Sequence, residues 1–573
     1  MACSKLVRAA VLVSAVLCSA DCANTDWRSY GHDSHRSSNQ PHEAVLNVAT
    51  ASTLHVVWDF SVPAGGALTA SPSVYRNTVY VGSLNGYFYA IYARGPNQGH
   101  VRWQYPPAVA SPDPCGTTTT PLQIAAGWGN PSGPGIASSA TIATIWVRWF
   151  WFFKWPTKAV LFGAPDPNSN GGDGRIWALD AATGQCIWKS DVIAPTSGTS
   201  KIGYSSPALA HGRAYIGVSA KRPDDPITVG QVFAVDLATG ARDPGFGFSA
   251  VGGPAPGGGI WSSPAIAPDG NVVVTTGNSC VNEGFIDPTY CNTNHIPSPD
   301  YTNSILKVDW RTGKTVFWQV QPVAIQYDVD PDFSASALVG QVSCGNRAIS
   351  VQKDGYVHAV DINATTNSGC SYPGHGLACP QWTFPTATLP FQDYNHGDTH
   401  FKRPGALDRD HLFIAAGGFN LEPPPNKPIT QVYARLHCLN VCGSDLARIR
   451  WVLPNLVGNA GGVSVANGVI YLGTWTPFET SPGGLHHFYA IADTDYLPPL
   501  RPVPTYVCSY DGLSILHAPG QPSPCSAANF DSVPVPVIVK DTTLVGSIQA
   551  IPAISKGRVY VATAAGHLYA LGL

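Results

Sequence analysis

Gly174-Arg-Ile-Trp-Ala-Leu-Asp-Ala-Ala-Thr-Gly-Gln-Cys-Ile-Trp188 is the most complete of eight copies of one short phrase in this chain. The others are centred on Ala90 (Gly86 to Trp103), Ala234 (Gly230 to Gly240), Lys307 (Asn303 to Trp318), Ala359 (Gly355 to Trp382), Cys438 (through Trp451), Ala490 and Ala570. The mean spacing from Ala90 to Ala570 is about 69 residues, longer than a solenoid repeat and suited to four short strands with substantial loops. The repeat therefore predicts an all-β chain folded as an eight-bladed β-propeller.

Within the phrase, a turn Gly precedes alternating residues such as Ile176 and Ala178 that face a core. Asp180, Thr183 and Gly184 then form a polar turn, and Trp188 returns on the next strand to pack between blades. The eighth copy, Gly566 to Leu573, stops before any closing Trp, while Leu54-His-Val-Val-Trp-Asp-Phe60 is a strand with Trp58 and no phrase of its own. The N-terminal strand is therefore expected to join the last blade and close the ring, removing its open edge.

Composition agrees with a loop-rich β fold: 573 residues carry 58 Gly, 50 Pro and only 12% charged side chains. A net charge of −3 with no basic run gives no footprint for nucleic acid or an anionic membrane. Residues 1–20 have the three-part form of a secretory signal peptide, which predicts a single mature domain over 21–573, secreted to the periplasm or outside the cell. Cleavage there leaves an even set of 12 cysteines bound for an oxidising compartment. Sequence-near pairs, Cys280 with Cys291, Cys370 with Cys379, Cys438 with Cys442 and Cys508 with Cys525, are the expected loop staples. Asn363-Ala-Thr365 is a glycosylation acceptor in a host that glycosylates. The insertion at 145–157 is rich in aromatics, yet Arg148, Lys154 and Pro156 interrupt it and it is too short to span a membrane. It reads as an extended segment packed on a blade or as an exposed contact patch.

The Asp-x-x-Thr-Gly-x-x-x-Trp repeats and the opening Asp26-Trp-Arg-Ser-Tyr-Gly-His-Asp33 resemble the quinoprotein alcohol dehydrogenases, whose eight-bladed propellers bind pyrroloquinoline quinone. The resemblance covers nearly all of the mature chain. Asp330-Pro-Asp-Phe333, Val351-Gln-Lys-Asp-Gly355, Val465-Ala-Asn-Gly-Val469 and the ending Tyr569-Ala-Leu-Gly-Leu573 are similar to the polyvinyl-alcohol-dehydrogenase-like branch. The resemblance implies a cofactor floor at Trp261, within Gly257-Gly-Gly-Ile-Trp-Ser-Ser-Pro264, because a planar tricycle needs a flat surface to stack on. It places a metal-binding amide at Asn278, which offers an oxygen suited to Ca²⁺. It makes Asp330 the general base, Asp332 an added metal ligand, and Lys353 a cation beside the quinone oxygens. The residues support part of this independently: Asp328, Asp330 and Asp332 alternate, so in a strand they share one face and call for a cation or a proton-transfer task. Each residue also has a plain structural use, since most of 16 Trp must pack and Asn, Asp and Lys all serve in turns.

Two departures from the family pattern bear on the chemistry. Lys221 and Arg222 stand where the family has a metal-ligating Glu, which leaves three options for Ca²⁺ or a lanthanide: displacement, compensation by Asp330 and Asp332, or ligation by Asp224 or Asp225. No two cysteines are adjacent, so the family's Cys-Cys ring near the quinone has no counterpart. There is no Cys-x-x-Cys-His, so no c-type haem is attached and a separate electron acceptor is required. His396 and His400 have the spacing of a helical metal pair, but Gly397 and Asp398 speak for a loop; alternation sends His486 and His487 to opposite faces. The expectation is a secreted quinone-dependent oxidoreductase acting on an alcohol, with secondary and polymeric alcohols among the candidates; the rival is a non-catalytic propeller serving as a binding scaffold.

Overall fold

The computed structural model describes residues 25–573 apart from 64, 110–112, 117–118, 123–134, 151–152, 170–172, 195–199, 203, 221–227, 252–255, 279–300, 321–331, 334, 353–356, 364–381, 385–402, 421–431, 444–448, 476–484 and 497–535. The strands form eight antiparallel sheets, and the only helical elements among the described residues are the short turns Ala51–Thr53 and Thr494–Tyr496. The first blade shows the pattern: Ser73–Tyr75, Thr78–Gly82, Phe88–Tyr92 and Val101–Tyr105 pair in chain order. First strands of neighbouring sheets touch one another all the way round, from Ser73–Tyr75 through Thr141–Phe150, Ala208–Ala210, Ala265–Ile266, Leu338–Val342, Ala406–Asp408 and Asn459–Ala466 to Ala553–Ser555 and back. They therefore line a central axis, and the eight sheets are the blades of a propeller.

The last blade consists of Ala553–Ser555, Arg558–Ala562 and His567–Gly572, with His55–Ser61 as its outer strand. That strand runs antiparallel to His567–Gly572 from His55↔Gly572 to Ser61↔His567, with Trp58 opposite Ala570. Trp103 stands opposite Ala90, Trp188 opposite Ala178 and Trp451 opposite Cys438, so the tryptophans occupy one structural position.

The recurrent phrase now has a physical explanation. Asp180 Oδ1 accepts from Ala182 N at 2.9 Å, Thr183 N at 2.8 Å and Thr183 Oγ1 at 3.0 Å, and Asp236 and Asp309 close their turns in the same way. Gly184 follows at φ +75°, and a Cβ there would lie 2.6 Å from the Trp103 ring of the preceding blade. Gly240 meets Trp188 at the same 2.6 Å. Glycine is needed both for its backbone and for the indole lying against it. The indole N–H is satisfied across the same seam: Trp58 Nε1 donates to Ala93 O (3.2 Å), Trp103 to Ala181 O (3.2 Å) and Trp188 to Leu237 O (3.1 Å). The third blade lacks a closing Trp, and Phe246 and Phe248 fill its seam.

Residues 27–43 run across the end of the axis where the first and second strands of each blade turn. Ile142 N donates to Arg28 O, Ile266 N to Ser34 O and Val339 N to His35 O, each at 2.8 Å, while Leu407 N to Ser37 O and Val465 N to Ser38 O are 2.9 Å. Trp27 pairs with Val74, Arg36 Nη2 donates to Pro207 O at 3.2 Å, and Glu43 Oε2 accepts from Gly557 N at 2.9 Å, so this one segment bonds to all eight blades. Arg36 is buried at φ +61°, and burial pulls its guanidinium down to about 10. Asp33 organises the turn, accepting from His35 N (2.9 Å), Ser37 N (3.2 Å) and Ser37 Oγ (2.6 Å). Burial opposes its ionisation, but its bonds with His32 and Ser37 overcome that and hold the carboxyl at about 2.

The cysteine expectation needs correction. Cys442 pairs with Cys344, and Cys438 is a buried free thiol. Cys438 lies within the strand Val432–Asn440 with its side chain in the core beside Phe413 and Trp451, whereas Cys442 lies in the turn beyond that strand. A second bridge joins Cys115, in the connection from the first blade to the second, to Cys186 of the second blade, so both bridges span long separations instead of closing local loops. The other three expected pairs, and His396 and His400, lie outside the described residues. The aromatic insertion lengthens the first hairpin of the second blade, Thr141–Phe150 with Phe153–Asp166. Its Ile145 is buried, but Trp146 and Trp155 are 54% and 63% exposed, so this part of the hairpin stands clear of the blade. His486 is buried and His487 faces outward to Asp541 at 2.8 Å, as alternation requires. No helix among the described residues is long and apolar enough to cross a membrane.

Trp58→Ala is expected to cost about 3–5 kcal/mol in urea unfolding, while Trp146→Ser, at an exposed ring, changes stability by about 0.5 kcal/mol or less. Because Asp33 has a folded pKa below its ordinary value, its contribution to stability is present above about pH 4 and is lost as pH falls through 2. Thermal melts between pH 2 and 7 should show a steeper acid loss for the parent chain than for Asp33→Asn.

Candidate active site at the propeller axis

Several first strands are preceded by a residue that lines the axis, and many of these are serines. Ser139 N donates to Ser206 Oγ (2.9 Å), Ser206 N to Ser263 Oγ (2.9 Å), Ser263 N to Ser336 Oγ (2.7 Å) and Ile551 N to Ser71 Oγ (2.9 Å). Each hydroxyl thus satisfies a buried backbone N–H of the adjacent blade, where an unpaired donor would cost about 1–3 kcal/mol. Above this ring is a cavity of about 330 Å³, lined by Ser71, Ser139, Ser263 and Ser336 with Tyr30, Tyr204, Trp261, Arg403 and Gln549. Its size lies at the lower end of small-molecule sites.

Trp261 is carried by Gly257 to Gly259, a segment cross-linked to the end of the fourth blade's second strand. Gly258 N donates to Asn278 O at 2.8 Å and Gly277 N to Gly259 O at 2.9 Å. Gly258 has φ +68°, and a Cβ on it would lie 2.5 Å from Ala250 Cβ, so glycine permits this close approach. Trp261 Nε1 donates to Asp332 Oδ2 at 3.1 Å across 71 residues, fixing the rotation of the half-buried indole. Asp332 and Asn278 are buried.

Arg403 brings a cation to the cavity wall. It donates to Gln549 Oε1 at 2.7 Å and lies 5.8 Å from the Trp475 ring centroid. Burial lowers its pKa, against the pull of Tyr30 and Tyr204. Burial also raises Tyr30, against its bond with Ser336 and the charge of Arg36 and Arg403. An anion entering this cavity relieves the cost of the buried guanidinium.

No family model matches the chain. A polyvinylalcohol dehydrogenase from Pseudomonas sp is 26% identical over 374 residues, 58% of this chain and 49% of the relative, so the match spans about half the relative's length. A quinohemoprotein alcohol dehydrogenase from Comamonas testosteroni superposes with a TM-score of 0.59 at 16% identity, covering 96% of this chain and 81% of that one. A quinohemoprotein alcohol dehydrogenase from Pseudomonas putida HK5 gives 0.57 at 14% identity over 96% and 80%, and a europium-containing methanol dehydrogenase gives 0.57 at 14% over 96% and 98%. The chain has the quinoprotein alcohol dehydrogenase fold.

Against that fold, Trp261, Asn278 and Asp332 come together through the Asp332 bond and the Asn278 backbone, although they are distant in sequence. Asp330 and Lys353 lie outside the described residues, as do Lys221, Arg222, Asp224 and Asp225. The sequence reading passed over Arg403, Tyr30 and Tyr204. A signal for Arg403 was available: Ser71-Pro, Ser206-Pro, Ser263-Pro and Arg403-Pro each precede a first strand, so Arg403 occupies a serine position of the ring.

Asp332→Ala removes the acceptor of the Trp261 N–H and is expected to cost about 1–3 kcal/mol in equilibrium unfolding. Asp332→Asn keeps an acceptor oxygen and should recover most of that loss.

Proposed function

We propose that the chain is a secreted pyrroloquinoline quinone-dependent oxidoreductase that oxidises an alcohol, small or polymeric, to a carbonyl compound and passes the electrons to a separate acceptor. The observation that carries this reading is Trp261, a flat aromatic wall of the axial cavity held in orientation by Asp332. The donor set fits a flat, polyanionic ligand: an indole face to stack on, a half-buried Arg403 and several hydroxyls. When bound, the quinone supplies a two-electron acceptor for the hydride leaving the alcohol's carbinol carbon.

This chain's residues then divide the remaining work. Trp261 orients the ring by stacking, and Arg403 offsets carboxylate charge. Asp330 takes the hydroxyl proton, Lys353 stabilises charge arriving on the quinone oxygens, and Asn278 with Asp332 offers oxygens to Ca²⁺ or a lanthanide. The binding-scaffold alternative draws its support from the exposed Trp146 and Trp155.

The deciding experiment reconstitutes the mature protein with pyrroloquinoline quinone and Ca²⁺, and separately with a lanthanide. Quinone fluorescence and dye reduction are followed with primary, secondary and polymeric alcohols. Tight binding with alcohol-dependent dye reduction is expected; a folded protein that binds no quinone with either metal would overturn the reading in favour of the scaffold. Asp330→Asn should lower turnover by roughly 10² to 10⁴ while quinone stays bound.

A further inference from the structure

The seam between the sixth and seventh blades departs from those closed by an Asp-x-x-Thr-Gly turn, and the departure assembles metal-ligating groups. The turn that reads Asp-x-x-Thr-Gly in the second, third and fourth blades is here Asp493-Thr-Asp-Tyr496, wound as the short helical turn Thr494–Tyr496. With no glycine in the turn to lie against, Trp451 Nε1 donates to the Asp493 carboxylate, at Oδ1, at 3.1 Å, instead of to a backbone carbonyl. The second oxygen of that carboxylate turns toward His411, at the start of the sixth blade's second strand.

His411 Nδ1 lies 3.9 Å from Asp493 Oδ2 and 3.6 Å from Asp495 Oδ2, and one donor atom from each of the three residues lies within 4.8 Å of the others. Asp493 is 1% exposed and His411 8%, yet no hydrogen bond reaches Asp493 Oδ2 or His411 Nδ1 among the described residues. Arg450 pairs with Asp495 through Oδ1 and leaves Oδ2 facing the histidine. Thr494 Oγ1, at 3.4 Å, also goes to Oδ1 of Asp493, so among the described residues the group within ion-pair distance of Oδ2 is the His411 ring. Metal bonds of about 2.0 Å in tetrahedral geometry set ligand atoms roughly 3.3 Å apart, so the imidazole has to close on the two carboxylate oxygens, 3.9 and 3.6 Å away, by about 0.3 to 0.6 Å, and the carboxylate oxygens already lie within 4.8 Å of each other.

We infer that His411, Asp493 and Asp495 form a binding site for a divalent transition ion of the Zn²⁺ class, bridging the sixth and seventh blades at their outer seam. One imidazole nitrogen and two carboxylate oxygens match that class, and a single neutral nitrogen with so few oxygens does not suit Ca²⁺. Asp495 is the partly exposed ligand, its side chain 31% accessible, and gives the ion its way in and a fourth position for water. Arg450 holds the other oxygen of Asp495 as an outer partner, the arrangement that orients metal-bound carboxylates. The site is remote from the quinone reading and does not depend on it.

The test uses the full mature chain, stripped of metal and without quinone. Zn²⁺ titrated calorimetrically should bind at one equivalent and raise Tm progressively with free Zn²⁺. Co²⁺ in its place should give the visible bands of a four-coordinate site, and excess Ca²⁺ should displace neither ion. His411→Gln should weaken Zn²⁺ binding at least tenfold; Asp495→Asn, at the exposed ligand, supplies the same readout if His411→Gln does not fold. No stoichiometric Zn²⁺ binding, or binding unchanged in the folded variants, overturns the inference. So does loss of binding in Cys438→Ala with retention in His411→Gln, which would assign the ion to the neighbouring thiol.

Discussion

The ring rests on one repeated contact, an indole from the outer strand of one blade lying against the turn of the next. A blade of four short strands is apolar on both faces and has no stability alone, so each seam must be dry and its polar groups satisfied. The Trp103 contact with Gly184 does both, because the ring covers the turn and its N–H finds the Ala181 carbonyl. Asp180 makes this possible by holding the turn shut with its own carboxylate. The inner serine ring is the counterpart near the axis, where a small hydroxyl does for the first strands what the indole does at the rim.

Architecture was legible because these contacts force a residue pattern on the chain. Asp, Thr, Gly and Trp recur at fixed offsets since each has one geometric duty, and Trp58 could be given a place because the eighth phrase lacked its partner. The cysteines were not legible in the same way. Cys438 and Cys442 are close in sequence but separated by a strand end, and proximity in the chain says nothing about the direction of a side chain leaving a β-strand.

The site was legible only in part, for a related reason. Trp261, Asn278 and Asp332 are marked by local patterns, a glycine run, a strand end and an acidic alternation, and the fold joins them. Arg403, Tyr30 and Tyr204 sit in no local pattern. They matter because eight blades converge on one axis, and that convergence is visible only once the repeats are superposed, when Arg403 is seen to interrupt a ring of serines. The metal-ligating group at the outer seam is of the same kind: His411 and Asp493 are 82 positions apart, and each is unremarkable alone.

The segment from Trp27 to Glu43, with its bonds to every blade, also sets the order in which this molecule can be assembled. On a growing chain these residues emerge before the blades they bond to, and their partners include Gly557, 514 positions after Glu43. The first strand likewise waits for His567–Gly572. Early blades can form while the chain is being made, but the axis end stays open and the strand His55–Ser61 stays unpaired until the eighth blade has been made. For that interval an unpaired edge strand, His55–Ser61, is available to other chains. A protein built this way is exposed to edge-to-edge association until the eighth blade closes over its first strand.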